Sequence, residues 1–282
     1  MICTRLTSAT SFIALALAGA VLHLFDRSGH TAAGFAIVFL IAFAARLVSI
    51  YHLWCMHDPG HAGPSASASL RGWLHGTKDR GALWFSLYFV LIQLAVGISA
   101  PFFSVYMLRD LGFSYLEFMA NTGTAVLVQF LTLQTWGRIS DAFGNRLILS
   151  ATSITLPFLP SLWVLGNDFW YLLAVQCLSG LTWAGLSLSA GNLLYDLVPA
   201  THRATYSALH NVLAAAGVFV GGMIGAALLP FLPERASLLG DPALTSALLS
   251  VFLISTATRL AVDLAIKKHA ADEALRQKYQ VE

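Results

Sequence analysis

Residues 84–108 read WFSLYFVLIQLAVGISAPFFSVYML, and no Asp, Glu, Lys or Arg interrupts them. As a helix rising about 1.5 Å per residue, such a run is long enough to cross the roughly 30 Å hydrocarbon core of a bilayer. A water-facing helix of that length would need a continuous polar stripe. This run shows no alternation of period two, which argues for a helix and against a strand of an outer-membrane barrel.

The pattern repeats outward in both directions. The 282-residue chain is 57% apolar and only 11% charged, and its mean hydropathy is +0.71, beyond the range of a soluble domain. Apolar runs between charged or Gly/Pro-rich breaks lie near 8–25, 32–54, 84–108, 117–136, 147–165, 169–191, 205–230 and 244–266. The expected fold is therefore an all-α membrane protein of about eight transmembrane helices, with the lipid bilayer as its main partner. A formal net charge of +2, carried by dispersed basic residues, excludes nucleic acid as a partner. Cys3, Cys55 and Cys177 are far apart and imply no disulfide framework.

Lys and Arg favour cytoplasmic loops. Alternate connections hold Arg5; Arg71, Lys78 and Arg80; Arg138 and Arg146; Arg203; and Lys267, Lys268, Arg276 and Lys278. The opposite set holds only Arg27, Arg109 and Arg235. Both termini are thus expected in the cytoplasm, with the chain in the cell (inner) membrane. The first span, with Arg5 before it and Ala18-Gly19-Ala20 within it, also resembles a secretory signal peptide, although its apolar run continues through Phe25.

The connection after the fourth run reads Gly137-Arg138-Ile139-Ser140-Asp141-Ala142-Phe143-Gly144-Asn145-Arg146. It resembles the signature loop of the major facilitator superfamily, in which Gly, three residues, Asp, a basic residue, one residue and Gly precede further basic residues. Gly137, Asp141, Gly144 and Arg146 fit, whereas Ala142 and Asn145 stand where basic residues are usual. Pro199 and Arg203 resemble a second loop motif of that family. The resemblance implies a secondary transporter and aligns the chain with the family's helices five to twelve. On that reading residues 1–54 are two helices of a partial N-terminal bundle, and 55–83 are a cytoplasmic central loop. Residues 84–266 form a six-helix bundle, followed by a cytoplasmic tail at 267–282. The first four helices have no counterpart, so a truncated form is expected, whose partner is a missing N-terminal half or another helical membrane chain. Gly137, Asp141, Gly144, Arg146 and Arg203 are the expected conformational latch.

Polar side chains in hydrocarbon are costly unless they face a cavity or bond to another helix. Gln93, Ser104, Asn121, Gln176, Trp183 and Asn192 are the candidate substrate-cavity residues, with an unspecified small molecule as partner. For the glutamines, interhelical hydrogen bonding is an equal alternative, and packing is the simpler role for Trp183. Gly217, Gly221 and Gly225 form a small-x3-small ridge expected to be structural. Arg259 and Asp263, four residues apart, are expected to neutralise each other locally. Cys55, His57, His61 and His75 match no compact metal site, so no metal and no cofactor are expected. No G-x-S-x-G or H-E-x-x-H occurs, and no enzyme activity is expected. A non-transporting scaffold or degenerate fragment that pairs with other helices remains a second reading.

Overall fold

The structure, a computed structural model, describes residues 2–56, 80–198, 203–233 and 246–279. Described residues form helices and turns, without strands. In chain order the α-helices are α1 (Ile2–Arg27), α2 (Thr31–Trp54), α3 (Arg80–Val105), α4 (Tyr115–Phe143), α5 (Asn145–Thr155), α6 (Leu159–Leu162), α7 (Phe169–Leu197), α8 (Arg203–Leu228) and α9 (Ala247–Tyr279). Among the described residues, seven segments are long and apolar enough to cross a membrane, including Leu83–Asp110, Phe169–Leu197 and Ala247–Ile266. This is the architecture of an integral membrane protein.

The run expected near 147–165 is built in pieces. Helix α5 gives way to a 3-10 turn at Leu156–Phe158 and then to α6. Pro157 and Pro160 lack the N–H that a continuous helix would use, so the backbone ladder is interrupted at this point. Helix α9, by contrast, continues through Tyr279, so residues 267–279 prolong the last helix. The His-containing group 57–75 and the Pro199 end of the second loop motif lie outside the described residues.

Polar caps start the helices. Ser114 accepts a hydrogen bond from the Glu117 amide while the Glu117 carboxylate accepts one from the Ser114 amide, a capping box that begins α4. Asp168 accepts from the amides of Trp170 and Tyr171 at the start of α7. Helix α3 ends in a π-helical turn at Tyr106–Asp110. Asp110 accepts a hydrogen bond from Ser246 at the head of α9, which ties these two ends together.

Backbone contact joins the helices in pairs. A Cβ at Gly217 of α8 would stand 2.8 Å from the Val90 carbonyl oxygen of α3, and Cβ atoms at Gly221 and Gly225 would strike the carbonyls of Leu94 and Ile98. Close approach of this kind lets dispersion act where lipid removes the hydrophobic drive between helices. Gly180 of α7 meets the Ala125 backbone of α4 in the same manner. Helix α1 packs on α4, with Gly19 against Met119 and Phe12 against Gly123. Helix α2 instead presents a broad apolar surface that includes Phe39, Leu40, Phe43 and Leu47.

Candidate substrate cavities and the signature loop

Polar residues along α3 and α7 open into two cavities placed one after the other. Gln93 of α3 and Ser187 and Gly191 of α7 line the first, of about 440 Å³, together with His210 and Asn211 of α8. Ser104 of α3 and Gln176 and Trp183 of α7 line the second, of about 280 Å³. The helices run in register: Phe89 and Gln93 face the first cavity and Val96 to Met107 the second, while on α7 the order is reversed, Gln176 to Trp183 and then Ser187 to Tyr195. The residues between, Gln93 to Val96 and Trp183 to Ser187, separate two spaces lined by the same two helices.

In the first cavity His210 is buried, stacked on Phe85 at 5.8 Å between ring centroids and tilted against Phe89 at 4.6 Å. Its Nδ1 lies 3.5 Å from Ser86 Oγ. Phe85 and Phe89, both on α3, thus hold the imidazole of α8 against α3.

The second cavity holds a residue that reading the sequence placed in a local pair with Asp263 and not among the cavity candidates. Arg259 of α9 is 3% exposed, well inside the apolar window Ala247–Ile266, and lines the cavity. Its Nη1 donates to the Leu156 carbonyl at 3.1 Å, and its Nη2 donates to Ser99 Oγ at 3.0 Å. The Leu156 carbonyl is available because the helical donor four residues on would be Pro160, which has no N–H. Ser255 Oγ donates to the Ala95 carbonyl at 2.7 Å and lies 3.0 Å from Ser99 Oγ. Ser255 therefore uses its proton on Ala95, Ser99 donates to Ser255, and the Ser99 lone pairs face Arg259. The expected local pairing of Arg259 with Asp263 left out these acceptors, because they come from α3 and from the turn after α5. The available signal was an arginine inside an apolar window, by itself a mark of function in a membrane.

An aromatic group borders this cavity through Phe103 and Trp163. Phe103 stacks on Phe252 at 4.4 Å and packs against Trp163 at 4.9 Å, and Tyr106 meets Phe252 edge-on. Trp183 is half-buried and lines the same space. Asn121 of α4 lines neither cavity; it is fully buried, and its amide has no hydrogen-bond partner among the described residues.

At the signature loop, Gly144 alone separates α4 from α5, with φ of 85° and its amide bonded to the Ser140 carbonyl at 2.8 Å. Gly137 is buried. Asn145, which stands where a basic residue is usual, is the hub of a polar cluster. It accepts from Ser140 Oγ and from Asn192 Nδ2, and its own Nδ2 donates to Asp196 Oδ2 at 3.2 Å. Asn192 thus belongs to the loop cluster rather than to either cavity. Asp141 and Arg146 are exposed and make no hydrogen bond or ion pair with one another. Arg203 reaches the Val198 carbonyl at 3.4 Å and sits 5.8 Å from the Tyr195 ring centroid. The latch candidates are therefore spread over one end of the bundle, and Ser140, Asn145 and Asp196 supply the contacts that join α4, α5 and α7 there.

A sequence model described as Major Facilitator Superfamily matches residues 85–270. The chain is also similar to the vacuolar membrane amino acid uptake transporter fnx2 of Schizosaccharomyces pombe, 28% identical over 105 residues. That match covers 37% of this chain and 18% of the relative's length.

Proposed function

Because the chain belongs to the Major Facilitator Superfamily, we propose that it moves a small solute across a membrane by alternating access. The observation that carries this reading is the pair of cavities along α3 and α7, lined by one continuous series of residues and separated between Gln93 and Val96. A path interrupted between two polar spaces suits a carrier that exposes its site to one side at a time. Amino acids are the first solutes to try, given the name of the fungal relative. The signature-loop end acts as the conformational latch, with Gly144 as its turn and Asp141, Arg146 and Arg203 as charges that exchange partners between states. The charge asymmetry of the loops supports cytoplasmic termini.

The test is uptake of a radiolabelled amino-acid panel into liposomes containing the full chain, against empty liposomes. Time-dependent accumulation above the empty control is expected. A correctly folded chain that takes up nothing would overturn the reading. The exposed apolar face of α2 favours a second reading, a helical chain that pairs with other membrane helices. Uptake that appears only with a co-expressed helical partner would support it.

A further inference from the structure

Among the described residues lining the 280 Å³ cavity, Arg259 is the only one with a charged side chain. A guanidinium stays protonated in proteins and carries five N–H donors. Two are used here, both on neutral oxygens. Nε is buried with no acceptor among the described residues, and Thr122 Oγ1, on another residue of the lining, is likewise without a partner among them. Asp263, one turn along α9, does not line the cavity. Desolvating a cation is costly, and the two acceptors that hold this one, the Leu156 carbonyl and the Ser99 hydroxyl, fix its position without carrying charge. Phe103, Trp163 and Trp183 supply an aromatic part of the lining. The volume lies near the small end of the range for small-molecule sites, roughly 300 to 1,000 Å³.

We propose that this cavity binds a small carboxylate-bearing solute, its carboxylate on the Arg259 guanidinium and its apolar part against the aromatic lining. A planar carboxylate matches the fork of guanidinium N–H groups, as a neutral amide does not. Gln176 and Ser104 supply the neutral polar contacts beside it. As the substrate class of a carrier this rests on the transport reading above; as a binding site it is separately measurable.

The experiment is equilibrium binding to the full chain in nanodiscs, followed by tryptophan fluorescence and calorimetry. Lactate, alanine and succinate are compared with lactamide, alaninamide and succinamide, and inorganic phosphate is included. Carboxylates are expected to bind at least about tenfold more tightly than their amides, as a charge-assisted contact requires. Arg259→Gln is expected to abolish that preference and Arg259→Lys to keep part of it, while Gln176→Leu weakens both series and leaves their ratio unchanged. If Arg259→Gln does not fold, the wild-type ratio and Arg259→Lys decide. Equal binding of acids and amides, a preference that survives Arg259→Gln, binding of phosphate alone, or binding of no probe would each overturn the proposal. Uptake without any carboxylate preference would overturn this site and leave the transport reading standing. Arg259-dependent binding without uptake would do the reverse.

Discussion

Arg259 Nη2 on α9 donates to Ser99 Oγ on α3 at 3.0 Å, and the Ser99 hydroxyl is turned to accept because Ser255 directs its own proton to the Ala95 carbonyl. One buried hydroxyl thereby joins two spanning helices and positions the one charged side chain among the described residues that line the 280 Å³ cavity. Ser99→Ala leaves an Nη hydrogen without its acceptor. The expected loss is about 1.5 to 3 kcal/mol, the range for hydrogen bonds to charged groups. Ser255→Ala removes a neutral contact and is expected to cost nearer 0.6 kcal/mol. Unfolding in mixed micelles of the two single variants and the double variant measures both; a double-variant effect equal to the sum of the singles would refute the relay.

Pro160 cannot offer an i+4 N–H to the Leu156 carbonyl, which leaves a lone pair of that oxygen for Arg259. Pro160→Ala restores an N–H that competes for that oxygen, so the guanidinium is expected to lose one of its two anchors. Solute affinity should fall and the protein should become no less stable. Unchanged affinity with the helix rebuilt across 156–160 would show that the carbonyl is dispensable.

The α3–α8 contact depends on side chains that are absent. A methyl at Gly221 would collide with the Leu94 carbonyl and one at Gly225 with that of Ile98, whereas a methyl at Gly222 would rest 3.8 Å from the Gly97 carbonyl oxygen. Gly221→Ala and Gly225→Ala are expected to cost about 1 to 3 kcal/mol, as overpacking does. Gly222→Ala is expected to change stability by less than about 0.5 kcal/mol. The same unfolding assay separates them, and equal losses at all three positions would contradict the packing.

Asn145 accepts from Ser140 and Asn192 and donates to Asp196 at the signature-loop end. Asn145→Arg removes the acceptor of Ser140 and Asn192, a loss of about 1 to 3 kcal/mol, and places a cation beside the Asp196 carboxylate, an exposed pair expected to give a gain of up to about 1 kcal/mol against that loss. Asp196→Asn should cancel the gain. A double-mutant cycle on thermal stability, repeated at high salt, checks the sign and the screening.

Gly144 joins α4 to α5 with φ of 85°. With ψ of 154° this is a backbone region that essentially only glycine occupies, so Gly144→Ala and Gly144→Asn are both expected to cost about 1 to 3 kcal/mol. If the latch acts as proposed, Asp141→Asn leaves stability near wild type, since the side chain is exposed, but alters the labelling rate of cysteines placed in the two cavities. Identical labelling would remove Asp141 from the latch.

Span length and charge placement are properties of the sequence alone, because a helix must be about twenty apolar residues long to replace its contacts with water by contacts with lipid. Residues 84–108, the ridge Gly217, Gly221 and Gly225, and the turn at Gly144 were all legible for that reason, each being a local or periodic feature. Tertiary structure decided which polar residues share a space. It divided Gln93 from Ser104 and Gln176, moved Asn192 to the loop cluster, and brought Arg259 to Ser99 and Leu156. Periodicity finds the face of one helix; the acceptors for a buried charge lie 103 and 160 residues away, and only the packing of the helices determines whether they meet it.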